Sequence, residues 1–564
     1  MHRHGPGSRH RLLTRRGWLA IVLLLALLAA ACGDDDGDTG GDGATATTGA
    51  TDGGSGGEGS SGEGATLTVA TPAVLSSLDP ERYEGNISLD LLPNVAGTLL
   101  WWKPSTPGAT VIQSPDEIAP ALAESWEVSE DGKEVTFVLR EDALSVFGNP
   151  VTSEDVKWSV ERMIASEGVP IARILMNQGG WNLDEPIEII DDRTFVLHVD
   201  RPNAVSLSVL TTYFFMIFDS EEVLAHATDE DPYAYEWLAE NDASFGAYTV
   251  ESFEPGTQVR LVANEGYWGE KPAYDTVVVR AVSDGSSRLQ LIQRGEVDVA
   301  FGLTFDQLAA LEGDSNVQVE QMLFPSIMLL VMNHDVEPFD DPRVREALSL
   351  AVDREAIAEG AYQGFGQPAT DYFHNAFGFD EADEPLTRDL DRARALLEEA
   401  GVDDLTIELS YSIGNLGPEV EQIAVLLKAQ LAEIGVDVVI NNIPSNADFD
   451  AGKRDGSLSA WLATSAPQIP DPAYYIQVFY GTGGVVNLMK YSNPDLDALA
   501  VEILETQPGP ERTALVAQAN ELMLSEMPSV PLIDTEKYYV FRAGVQGFRG
   551  NPQANVEFRE LSPS

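Results

Sequence analysis

Apolar positions along this 564-residue chain recur with a period of two in some segments and near 3.6 in others, which predicts a mixed α/β fold. Trp126-Glu-Val128 and Val135-Thr-Phe137-Val-Leu139 alternate residue by residue, and Glu130-Asp131-Gly132-Lys133 supplies turn chemistry between them, so a β-hairpin is expected. Thr152-Ser-Glu-Asp155 then opens like a capping box, and Val156, Val160, Met163 and Ile164 follow at helical spacing. Further on, Leu405 to Tyr411 reads as a strand, Pro418 to Ile434 as a helix and Val436 to Ile440 as a strand. Val420, Ile423, Ala424, Leu427, Leu431 and Ile434 form one apolar stripe, with Gly435 where a C-cap glycine belongs. Such a βαβ unit implies parallel strands and a right-handed crossover. Asp341 before Pro342, and Asp353, predict the N-caps of two more helices.

The first 31 residues follow a different pattern: arginines at 3, 9, 11, 15 and 16, an apolar core from Trp18 to Leu28, then Ala29, Ala30 and Ala31. This is the layout of a secretory signal peptide, with a core too short to span a bilayer. Thr14-Arg15-Arg16-Gly17-Trp18-Leu19 resembles the twin-arginine pattern, so either the general or the twin-arginine route fits. The chain's single cysteine, Cys32, follows the small residues as in a bacterial lipobox, although Ala29 occupies the position of the usual leucine. Residues 33–64 are almost wholly Gly, Asp, Thr, Ser, Ala and Glu and cannot offset their ordering entropy by burial. Cys32 is therefore expected to be acylated and residues 32–64 to form a tether, which at full extension reaches roughly 100 Å. No intrachain disulfide is possible.

Charge removes one class of partner. With 91 acidic against 34 basic residues the formal net charge is −57, which argues against nucleic-acid binding. No later apolar run predicts a transmembrane helix.

Catalytic chemistry is equally poorly represented. Gly53-Gly-Ser55-Gly-Gly57 matches the G-x-S-x-G pattern but lies in the tether, without the strand-to-helix turn that a nucleophile elbow requires. There is no phosphate loop and no H-E-x-x-H zinc helix, and His198, His226, His334 and His374 are isolated from one another. Neither a metal nor a cofactor is expected. A secreted hydrolase is the alternative from another class, and a binding lipoprotein acting as a sensor is a third reading.

Several segments, taken in order, resemble the family 5 extracytoplasmic solute-binding proteins of bacterial ABC importers, the group with dipeptide-, oligopeptide- and nickel-binding members. They include Pro120-Ala-Leu-Ala-Glu-Ser-Trp126, Asn149-Pro-Val-Thr-Ser-Glu-Asp-Val156, Asn264-Glu-Gly-Tyr-Trp268 and Arg294-Gly-Glu-Val-Asp298. Pro338-Phe-Asp-Asp-Pro-Arg-Val-Arg345, Ala351-Val-Asp-Arg-Glu-Ala356, Pro470-Asp-Pro472, Tyr491-Ser-Asn-Pro494 and Pro528-Ser-Val-Pro531 follow. Most of these are turn and cap residues and read as scaffold.

The resemblance implies a two-lobed periplasmic-binding-protein-like fold of type II, in the large peptide-binding class, with mixed sheets and a hinge. The first lobe, with an extra subdomain, would comprise residues 65–327 plus 531–564 and the second residues 328–530, with a small solute, peptide-like or other, held between them. Further implications are a monomer at the outer face of the cell membrane, delivery of the solute to ABC permease subunits, and no catalysis.

In peptide-binding relatives an aspartate two residues before the Pro-Asp-Pro turn meets the ligand's ammonium, in a Trp-x-x-Asp-like setting. Here Gln468 takes its place and Ser465 that of the preceding tryptophan. A neutral amide cannot neutralise a buried cation. Three readings stay open: a site altered for another solute, an anchor moved to Asp471 or another acid, or Asp471 as a turn residue only. The candidate ligand-binding residues are Leu78, Asp79, Tyr411, Trp461, Ser465, Gln468, Asp471 and Tyr474.

Overall fold

The computed structural model describes residues 64–82, 86–103, 117–166, 171–373, 377, 386–484, 486–551, 553 and 555–564. Cys32, the signal segment, the tether with its G-x-S-x-G match, and His374 lie outside the described residues.

Local predictions translate directly into elements. The hairpin forms from the antiparallel strands Ala123–Val128 and Glu134–Leu139, with Gly132 at φ +72° in the turn, and belongs to a four-stranded sheet with Thr194–His198 and Ile187–Ile189. Thr152 and Asp155 exchange both capping-box hydrogen bonds at the start of the helix Ser153–Ala165. The βαβ unit consists of Thr406–Tyr411, the helix Glu419–Ala432 and Asp437–Asn442, its strands paired in parallel and its apolar stripe buried against the sheet. Asp341 and Asp353 cap the helices Pro342–Ala351 and Arg354–Ala361, each accepting a backbone N–H through its carboxylate.

The long-range organisation rests on one eleven-stranded mixed sheet. Its order runs from Asp437–Asn442 through Thr406–Tyr411, Ala460–Ser465, Val317–Met332, Ser529–Arg542, Val299–Ala300, Thr66–Thr71, Thr276–Ala281 and Gln258–Ala263 to Tyr248–Glu254, with Gln367–Pro368 pairing beside Ser529–Arg542. Two strands are far longer than the rest: Val317–Met332 has 16 residues and Ser529–Arg542 has 14. They pair antiparallel along almost their whole length and belong to both halves of the sheet.

Their ladder is interrupted once near its middle. Met322 faces Lys537 and Ser326 faces Thr535, so Leu323, Phe324 and Pro325 oppose only Glu536. Proline has no N–H to donate to a ladder, and such a break lets two long strands bend without losing the pairing on either side. Among the described residues no helix is long and apolar enough to cross a membrane.

Candidate functional site

Two adjoining cavities open beside the ladder break, on the face where the two halves of the sheet meet. The first holds about 350 Å³ and is lined by Thr71, Pro72, Asp90, Phe301 to Leu303, Phe305, Leu308, Glu419 and Glu536 to Tyr539. The second, about 640 Å³, shares Phe305 and Glu419 with it and continues over Gly360, Ala361, Gln363, Gln422 and Val425. Residues from both halves of the sheet therefore line these adjoining cavities.

Local chemistry fixes each wall. On one side, buried Arg288 donates to the carbonyls of Val282 (2.6 Å), Phe301 (2.9 Å), Ser283 (3.0 Å) and Gly302 (2.5 Å), pinning the loop that carries Phe301. Gly302 has φ +63°, and a Cβ there would stand 2.6 Å from Pro72 Cγ, so the tight approach needs glycine. A second capping box, Thr304 with Gln307, starts the short helix Phe305–Ala309 and sets Phe305 at its first position.

Phe305 packs against Tyr362 (4.9 Å between ring centroids), Phe365 (5.9 Å) and Tyr538 (6.3 Å), while Phe301 meets Tyr539 edge-on at 5.0 Å. On the opposite side Glu419 is the first residue of its helix, following Pro418 and the left-handed Gly417.

The electrostatics of this space are unbalanced. Glu536 is pushed up to about 7 by burial, and its Oε2 has no hydrogen-bond partner. Burial also raises Glu419. Behind Glu536 lie Asp534, raised by burial and by the charges of Asp371 and Glu536, and Asp371, raised to about 6 mainly by burial. Asp90 accepts a hydrogen bond from the Tyr539 hydroxyl at 3.3 Å and is the charge that faces Lys537. Lys537 Nζ also lies 4.6 Å from the Phe324 ring centroid.

The residues singled out in the sequence lie elsewhere, and none of the eight lines either cavity. Leu78 is packed, its N–H donating to Ala239. Asp79 forms a 2.6 Å ion pair with Arg162, both side chains all but fully buried. Tyr411 and Trp461 are buried on neighbouring strands, and Tyr474 is buried in the helix Pro472–Phe479. Ser465 Oγ and the Tyr475 hydroxyl are 2.8 Å apart.

Asp471 accepts from the N–H groups of Ala473 and Tyr474 as an N-cap, and its other oxygen accepts from Arg512 at 2.5 Å. Gln468 sits half-buried in the loop between strand and helix.

Two histidines are accounted for. His334 is lowered to about 4, chiefly by burial, and its Nε2 lies 2.9 Å from the Pro528 carbonyl. His226 stacks on Trp237 at 4.2 Å. Among the described residues no group of three potential ligands could hold a metal ion.

The cavity residues carried one weak signal in the sequence. Glu536 and Lys537 stand in a largely apolar strand, where charges at part-buried positions demand a partner or a role.

Comparison with known proteins bears on this arrangement. The family model described as bacterial extracellular solute-binding proteins, family 5 Middle, matches residues 117–487. A probable D,D-dipeptide-binding periplasmic protein of Escherichia coli K12 is 27% identical over 442 residues, covering 78% of this chain and 83% of that protein. The heme-binding protein A of Haemophilus influenzae is 26% identical over 460 residues, covering 77% of this chain and 82% of that one. Among solved structures, a periplasmic binding protein from Helicobacter pylori in complex with the peptide STSA superposes with a TM-score of 0.75 at 24% identity. That match covers 89% of this chain and 98% of the other. The shared architecture is two-lobed.

Proposed function

Because the chain belongs to family 5 of the bacterial extracellular solute-binding proteins, and is therefore a binding protein and not an enzyme, we propose that it captures a small solute between two lobes and delivers it to an ABC permease. The observation that carries this reading is the pair of adjoining cavities beside the long ladder shared by both sheet halves. A solute that touches both walls stabilises the closed arrangement by its contacts with each, and the interrupted ladder at 323–325 opposite Glu536 is the place to bend. On this reading the lobes divide close to residues 327 and 531, near that interruption. Native mass spectrometry of the purified protein tests it. A bound small molecule, lost on unfolding, is the expected result, and a mass equal to the bare polypeptide under all gentle conditions counts against it.

The same proposal includes acylation at Cys32, a tether over residues 33–64 and a position at the outer face of the cell membrane. It is supported by the basic, apolar and small-residue succession before Cys32 and by the composition that follows. Cys32→Ser is expected to move the protein from the membrane to the soluble fraction, and persistent membrane association would remove the lipid from the account.

A further inference from the structure

Resting on the solute-capture reading, we infer that the solute is an organic cation, its ammonium held between Glu419 and Glu536 and its carbon body lying on Phe305 and Tyr538. The 350 Å³ cavity that all four residues line carries three carboxylates, Asp90, Glu419 and Glu536, against one ammonium, Lys537. Lys537 already faces Asp90 and the Phe324 ring, so its charge is engaged. Neither Glu419 nor Glu536 forms an ion pair among the described residues.

Three buried oxygens near these two glutamates have no partner. Glu536 Oε2 is one. Asp534 Oδ1, on a side chain 6% exposed, lies behind it on the same strand. The third is the Tyr362 hydroxyl, 1% exposed, close enough to Glu419 to feel its charge. Of the three, only the Glu536 oxygen belongs to a residue that lines the cavity; leaving its carboxylate unpaired is costly, and an ammonium relieves that cost where an anion would add to it. A neutral solute would leave both carboxylates uncompensated. Aromatic rings on the same walls favour a cation for a second reason, since their faces carry negative charge. The absence of a metal-ligating group among the described residues favours an organic cation over a metal ion.

Calorimetry on the full-chain protein at pH 8 tests the assignment with phenethylamine, 1,5-diaminopentane, N-acetylphenethylamine and 3-phenylpropionate, alongside identification of any solute released on unfolding. At least one amine is expected to bind tenfold or more tightly than the acetylated and carboxylate probes. Glu419→Gln and Glu536→Gln should each weaken it by at least tenfold while thermal stability is kept. If the acetylated or anionic probe binds as well as the amines, if both Gln variants bind amine normally, or if the released solute has no basic nitrogen, the cation assignment fails while solute capture stands. If no probe binds and no solute is released, both readings fall.

Discussion

The Asp471 carboxylate is fully used inside the protein: one oxygen accepts from Arg512 at 2.5 Å and the other caps the helix Pro472–Phe479. Both side chains are more than nine-tenths buried, so the pair excludes the water that would otherwise solvate either charge. Removing one partner leaves the other charge buried and alone. Asp471→Ala is therefore expected to lower the free energy of unfolding by about 3–5 kcal/mol, read from denaturant titration. Affinity for solute in the folded fraction should not change, and a loss of affinity without a loss of stability would return Asp471 to the binding site.

Gln468 follows from the same geometry. It lines neither cavity, and the loop that holds it leads into the Asp471 cap. Gln468→Asp should leave the affinity for a free-amino dipeptide within about twofold, measured by calorimetry. A gain of tenfold, worth about 1.4 kcal/mol, would place the ammonium at this loop.

Solute binding should release protons near neutral pH. Glu536 stands at about 7 because burial disfavours its charged form, with Asp534 as a like charge behind it. Glu419, Asp90 and Lys537 line the same cavity. An arriving cation stabilises the carboxylate and lowers that value, so binding at pH 7 expels part of a proton per site. Calorimetry in two buffers of different ionisation enthalpy measures this directly. Affinity should fall by roughly tenfold per unit as pH drops well below 7, and a flat profile from pH 5 to 8 would contradict the role of Glu536.

The buried acids also set a pH dependence of stability. Asp371 is raised from 3.8 to about 6, mainly by burial, so the folded state holds its proton over a range where the unfolded chain has lost it. The native state then binds more protons, and the slope of stability against pH is negative. This contribution is intact below about pH 4 and is lost as pH rises through 6. Asp371→Asn keeps the oxygen that accepts from the Phe373 N–H and cannot ionise, so it should stabilise the protein at pH 8 by roughly 1–3 kcal/mol and have little effect at pH 4. Equal melting temperatures at pH 8 would refute the burial argument.

Much of the local fold was legible because its determinants are close in sequence. The Thr152–Asp155 box, the caps at Asp341 and Asp353, and the stripe from Val420 to Leu431 each need only a few neighbouring residues to be recognised. The long paired strands are different, since the partner of Met322 is Lys537 and no local period announces it.

The candidate cavity was harder to read for a related reason. Pro470-Asp-Pro472 looks distinctive in sequence because a cap and a helix start demand it, whereas Glu419, Phe305 and Glu536 have ordinary neighbours and acquire meaning only when the fold brings them to one cavity. Asp79, also prominent in the sequence, forms its ion pair with Arg162.

The placement of Ser529–Arg542 has a consequence for biogenesis. The N-terminal strand Thr66–Thr71 takes its neighbours from Thr276–Ala281 and Val299–Ala300, and the latter is flanked on its other side by Ser529–Arg542. On a ribosome the central strand of the largest sheet thus emerges long after Thr66–Thr71 and Val299–Ala300, the second of which it pairs with. Pairings between such distant segments form slowly. The segments made first accordingly wait with one edge of Val299–Ala300 unpaired until Ser529–Arg542 has emerged.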